Sequence, residues 1–130
     1  MPYIKESKIG QAIEGIINNV PGTIAVSVVD INSGMSLGSH STSADFDPDT
    51  ASAYNAEVIK QQQKALQALS LSNQKIEDIL VTLGDQLHLL KLIGDGNYFL
   101  FLAVSTKQTN LAIARSVLRR YAEIAGQGVH

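Results

Sequence analysis

Between Ile76 and Ser105 the chain reads IEDILVTLGDQLHLLKLIGDGNYFLFLAVS, three apolar runs separated by nothing longer than a tight turn. Gly84-Asp85 and Gly94-Asp95-Gly96-Asn97 are too short to hold the crossover that parallel strands require. Strands from Ile76 to Leu83, Leu87 to Ile93 and Tyr98 to Ser105 must therefore form an antiparallel meander. Whatever else the chain does, it has to build its remaining segments around that sheet.

Upstream lies a second pair of strands. Thr23 to Ile31, TIAVSVVDI, is β-branched and apolar on both alternate sets, Ile24, Val26 and Val28 on one and Ala25, Val29 and Ile31 on the other. A strand covered on both faces sits inside its sheet. Asn32-Ser33-Gly34 turns the chain into a weaker strand from Met35 to His40, which is expected at an edge.

Three helices complete the pattern. Ile9, Ala12, Ile13, Ile16, Ile17 and Val20 recur at three and four residues, predicting a helix over 6–19 with one apolar stripe; burying each isoleucine or valine contributes about 1.5–3 kcal/mol. A last helix carries Leu111, Ala114, Leu118, Tyr121, Ala122 and Ala125 on one face. Thr109 or Ser105 is expected to cap it, Gly126 to stop it, and Arg115, Arg119 and Arg120 to form its solvated second half.

The second helix begins at a triplet of alternate aspartates, Asp45, Asp47 and Asp49. Their spacing matches the opening of a calcium loop, but Thr50 stands where the sixth position needs glycine and Ala56 where the twelfth needs glutamate. The segment reads instead as a helix start, with Asp47 as N-cap, Pro48 at the first helical position and Asp49 against the positive end of the dipole. That helix is expected over 48–69, with Tyr54, Val58, Ala65 and Leu69 meeting its own sheet. Ala51, Ala56, Ile59 and Leu66 then spread apolar surface onto other sides.

The resulting order is α-β-β-α-β-β-β-α, an α+β arrangement expected to form one domain over residues 1–130. Charged residues are 17% of the chain and the net charge is -2, so there is no basic face to neutralise phosphates, and nucleic acid is set aside. The absence of cysteine removes thiolate nucleophiles and thiolate metal sites. No apolar run approaches the roughly 20 residues of a membrane-spanning helix, and the first residues lack a signal-peptide core, so a cytoplasmic protein without membrane insertion is expected.

Sites for chemistry are not found. There is no Gly-Lys-Ser/Thr for a phosphate loop, Gly94-Asp95-Gly96 leads into a strand, and no G-x-S-x-G elbow presents a serine. His40, His88 and His130 have no second ligand at a metal spacing, and His88 reads as a partly exposed strand residue. No catalytic residue, cofactor or metal is expected.

Two surfaces ask for company. The second helix is semi-apolar on more than one side, and a third strand at a sheet edge would offer Ile76, Ile79, Leu80, Val81 and Leu83 as an apolar template guarded only by Glu77 and Asp78. Either loops of the same chain cover these residues or a second chain does, and the coincidence of both features favours self-association.

From Ile9 to Ala125 the chain resembles the Roadblock family, relatives of a dynein light chain with a profilin-like fold. PGTIAVSVVDINSG stands for the opening hairpin, DILVTLGDQLHLLKLIGDGNYFLFLAVS for the meander and TNLAIARSVLRRY, with Asn110, Leu111, Ala114 and Arg115, for the final helix. The resemblance implies a five-stranded antiparallel sheet with helices one and three on one face and helix two on the other. It also implies a non-catalytic homodimer formed by third strands and second helices, docking or regulating a small Ras-like GTPase. On that reading the dimer surface comprises Ile76, Ile79, Val81, Leu83, Ile59, Gln62 and Leu66, and the partner-binding positions are Ala51, Asn55, Gln61 and Gln63. The glutamine run of the second helix departs from the family at a surface where partner choice is expected. A small-molecule sensor domain and a structural subunit of a larger assembly are the alternatives.

Overall fold

The expected order of elements is met in a computed structural model of the chain, which describes residues 2–129: α1 (Lys8–Asn19), β1 (Thr23–Asp30), β2 (Ser36–Ser41), α2 (Pro48–Ala68), β3 (Asp78–Thr82), β4 (Gln86–Ile93), β5 (Tyr98–Ser105) and α3 (Leu111–Gln127). His130 lies outside the described residues. The five strands form one sheet in the order β2-β1-β5-β4-β3, every neighbouring pair antiparallel. The meander thus occupies one half, and β2 and β3 are the two edges.

Alternation along the strands splits the core into two layers. Leu100, Leu102 and Val104 of β5 and Leu87 and Leu89 of β4 pack with Ile13 and Ile16 of α1 and Leu118 of α3. Phe99, Phe101 and Ala103 of β5, with Leu90 of β4, pack on the other side with Ala56 and Ile59 of α2. Helices one and three therefore share a face and helix two takes the opposite one, as the Roadblock resemblance implies. In β1, Val26 and Val28 join the first layer and Ala25, Val29 and Ile31 the second, but Ile24 joins the second as well. The β1–β5 register shifts between Thr23 and Ala25, which breaks the simple alternation there.

The helix ends follow from side-chain chemistry. Ser7 caps α1, its Oγ accepting from Gly10 N at 3.0 Å. Asp47 caps α2 as expected, accepting from Asp49 N at 3.0 Å and Thr50 Oγ1 at 2.7 Å. For α3 the expectation is corrected. Asn110 is the cap, accepting from Ile113 N at 3.0 Å, and Gly126 lies inside the helix, which ends at Gly128. Asn110 is one residue closer to the first helical turn than Thr109, and its amide oxygen reaches the third amide of that turn. Where α1 and α3 cross, a Cβ on Gly15 would lie 2.2 Å from the Tyr121 ring, so only glycine admits the tyrosine there.

The largest correction concerns α2. Ser52, Ala56 and Ile59 form its buried face, whereas Tyr54 is 73%, Leu69 67% and Val58 39% exposed. The side assigned to the sheet from hydrophobicity is the outer one. Small residues at the contact let the helix lie close to β1, where Ser27 Oγ and Ser52 Oγ share a buried hydrogen bond of 3.2 Å.

Candidate interaction surface

The β3 edge is open. Leu83 N donates to Gln86 O at 2.9 Å, which makes that opposed pair a hydrogen-bonded one. Alternation then turns the backbone groups of Ile79 and Val81 inward to β4 and those of Asp78, Leu80 and Thr82 outward, where no strand lies among the described residues. A row of outward N–H and C=O groups on an edge strand is a template for another strand. The opposite edge is blunted by a register shift between Val28 and Val29, so the two edges are not equivalent.

Side chains along β3 divide by parity. Leu80 packs into the α1/α3 layer, and Ile79 joins the α2 layer. Val81 and Leu83 stand 38% and 44% exposed. The strand is held from the α3 side: Arg115 Nε and Nη2 reach Asp78 Oδ2 and Oδ1 at 2.8 and 3.1 Å. Arg115 is thus an anchor for the edge and not part of a solvated helix end. Arg119 and Arg120 do remain exposed, with Arg120 5.5 Å from the Tyr121 ring.

α2 lies over β1 and β2 and presents two flanks. On one, Lys60 Nζ donates to Asn32 O in the β1–β2 turn at 3.1 Å and pairs with Glu57 at 3.2 Å. On the other, Gln63 and Leu66 line an open groove of about 620 Å³ with Ile76, Leu92, Lys91 and the β4–β5 turn. Its lining is rich in amides, Gln63, Gln67, Gln74 and Asn97.

The positions singled out from sequence separate into three groups. Ile59 is fully buried under the sheet and is corrected: its side chain belongs to the chain's own core. Ile76 and Leu66 line the same groove, and Ile79, Val81 and Leu83 follow the edge. Gln61 and Gln62 are exposed on α2, and Ala51, Asn55 and Gln63 are partly covered. Sequence reasoning left Tyr54, Val58, Ala65 and Leu69 off this surface, although all four are exposed. The signal that could have found them is the smallness of Ser52 and Ala56, which suits a close helix–sheet contact better than tyrosine does.

His88 sits edge-on to Phe46 and Phe101, with ring centroids 5.8 and 5.6 Å away, and burial pushes its pKa below the ordinary histidine value. Its Nε2 lies 2.9 Å from Gln86 Oε1. Among the described residues no cluster of histidine and carboxylate side chains is placed to hold a metal ion, and no helix is long and apolar enough to cross a membrane.

No protein-family model and no curated protein matches the chain. Solved structures do. MglB of Myxococcus xanthus is 13% identical with a TM-score of 0.81, covering 98% of this chain and 92% of that one. MglC of the same organism is 25% identical with a TM-score of 0.62, covering 94% and 99%. A Roadblock/LC7 domain from Streptomyces avermitilis is 15% identical with a TM-score of 0.72, covering 86% and 89%. The chain has the Roadblock fold.

Proposed function

We propose that this chain is a non-catalytic interaction module that pairs with a second copy of itself through the β3 edge and the adjoining α2 flank, and that the pair docks a small Ras-like GTPase. The observation that supports the pairing is that β3 carries outward backbone groups at Leu80 and Thr82 together with exposed apolar side chains at Val81 and Leu83, while α2 exposes Val58 and Leu69. Pairing would satisfy the backbone and remove the apolar area from water in one step. Gln61, Gln63, Asn55 and Ala51 lie beside that surface and serve the GTPase contact in this reading.

The GTPase half rests on the Roadblock resemblance. The exposed arginines, Arg119 and Arg120, belong to α3 on the opposite face of the sheet from α2. A partner seated on α2 would be out of their reach, so they cannot supply transition-state charge as an arginine finger does. The module would act by holding the partner's switch segments in one conformation. Binding of Ras-like GTPases from the same genome, each loaded with GDP or a non-hydrolysable GTP analogue, tests this; failure of every candidate in both states removes the GTPase half.

The sensor alternative has one observation in its favour, the amide-lined groove at Gln63, Leu66 and Ile76. A metabolite held there at a hundred times its Kd would add about 2.7 kcal/mol of apparent stability, which a thermal-shift panel reads directly.

A further inference from the structure

β4 outruns the strand beside it. The ladder between them starts at Asp78 opposite Lys91, while β4 continues to Ile93. By the alternation set at Leu83 and Gln86, Ile79 with Leu90 is a hydrogen-bonded pair and Asp78 with Lys91 is not, so Glu77 with Leu92 would be bonded again if the ladder went on. No backbone hydrogen bond joins those two residues. Residues 75–77 have already left β4, and the N–H and C=O of Leu92 that would have met Glu77 open into the groove that both residues line.

The side chains around that opening repeat the chemistry of a peptide unit. Gln63 and Gln67, one turn apart on α2, join Gln74 of the α2–β3 connection and Asn97 of the β4–β5 turn in its lining. A carboxamide carries one acceptor and two donors, so it meets the N–H and the C=O of a peptide bond together. Leu92 offers the same complement from its main chain. Charge is balanced, with Lys75 and Lys91 against Glu77 and Asp95, so the groove selects for no net charge on what it holds. Leu66 and Ile76 add aliphatic contact.

We infer that this groove takes a short extended segment of a partner protein, uncharged and bearing one aliphatic side chain, which resumes the line of β3 where Glu77 leaves it and exchanges backbone hydrogen bonds with Leu92. A charged metabolite meets no excess of opposite charge there, and an apolar one leaves Leu92 and the carboxamides facing it unpaired. A peptide satisfies both. The mode is strand addition confined to one ladder pair, with the glutamines binding the rest of the segment's backbone in place of a neighbouring strand. It uses the backbone of β4, whereas the pairing proposed above uses the outward groups of Leu80 and Thr82 on β3, so it goes beyond that reading.

End-capped tetrapeptides of alanine, serine and glycine with one leucine, isoleucine or valine are titrated into the full-length chain labelled with nitrogen-15, both native and Thr82→Pro, so that a second copy seated over the groove does not hide it. The backbone amide of Leu92 and the side-chain amides of Gln63 and Gln67 are expected to shift. Methylating the peptide nitrogens one at a time is expected to weaken binding about tenfold at a single position, the one that donates to Leu92. Gln63→Ala combined with Gln67→Ala is expected to weaken it at least about fivefold with the Leu92 shift retained. No shift at Leu92 in either chain, or equal binding of every methylated peptide, overturns the inference. Shifts there from free amino acids or nucleotides but from no peptide overturn it as well, and return the groove to the sensor reading. A native chain that is monomeric yet binds the peptides removes self-pairing and leaves the groove standing.

Discussion

Arg115 of α3 grips Asp78, the first residue of β3, with two hydrogen bonds of 2.8 and 3.1 Å. The fork spans from one layer of the fold to its open edge and fixes the strand where β3 leaves the α2–β3 connection. An edge strand has a partner on only one side, so such an anchor decides how straight and how ordered the template is.

Removing the fork should loosen the edge first. Because the Arg115 and Asp78 side chains are 34% and 19% exposed, solvent screening limits the pair to about 1 kcal/mol of coupling. A double-mutant cycle with Arg115→Ala and Asp78→Ala measures it. Faster amide exchange at Ile79 and Val81 in either variant is the accompanying signature, and unaltered exchange would show that β4 alone orders the strand.

A buried serine pair joins α2 to β1. Ser27 and Ser52 are both fully buried, and Ser52 Oγ also donates to Pro48 O at 2.7 Å. Ser52→Ala leaves the Ser27 hydroxyl without this partner and should cost about 1–3 kcal/mol. Adding Ser27→Ala removes the orphan, so the double variant should be less destabilised than the sum of the singles. Strict additivity in urea unfolding would contradict the pairing.

Ser70 ends α2 in a left-handed conformation, φ 60°, while its N–H reaches Gln67 O and that of Leu71 reaches Leu66 O at 3.1 and 2.7 Å. Those two bonds make a Schellman end, whose left-handed position suits glycine. Ser70→Gly should therefore stabilise the chain by about 1 kcal/mol, read as a higher urea midpoint. A lower midpoint would mean that the serine side chain contributes something the backbone geometry does not show.

How much of this was legible in the sequence depends on how many solutions each segment had. Turns as short as Gly84-Asp85 leave one way to connect β3, β4 and β5, and that half of the sheet order follows; the junction of β1 with β5 was not legible there. Asp47 before Pro48 likewise admits one helix start. In α2, by contrast, apolar residues occupy more than one side, and ranking by hydrophobicity put Tyr54 and Leu69 inward. The decisive quantity was separation between layers: Ser52 and Ala56 permit a close approach that tyrosine would prevent. Arg115 was misread for a related reason, since its acid lies 37 residues away in sequence and only the packing of α3 across β4 brings the two together.

Protonation of His88 should oppose folding. Burial between Phe46 and Phe101 lowers its pKa, so the unfolded chain takes up the proton first, at about pH 6.5. The contribution is level above that pH, becomes unfavourable as pH falls through it, and levels off again below the folded-state pKa. The stability difference between the native chain and His88→Phe should change across this window. A difference that stays constant from about pH 8 to pH 5 would contradict it.

Self-pairing at the β3 edge is the claim on which the rest depends, and sedimentation equilibrium at micromolar concentration tests it when the native chain is run beside Thr82→Pro. Proline at position 82 removes an N–H that faces outward and leaves the ladder to β4 intact. The native chain is expected at twice its monomer mass and the variant at the monomer mass. A native chain that sediments as a monomer, or a variant that pairs as well as the native chain, would contradict the use of this edge.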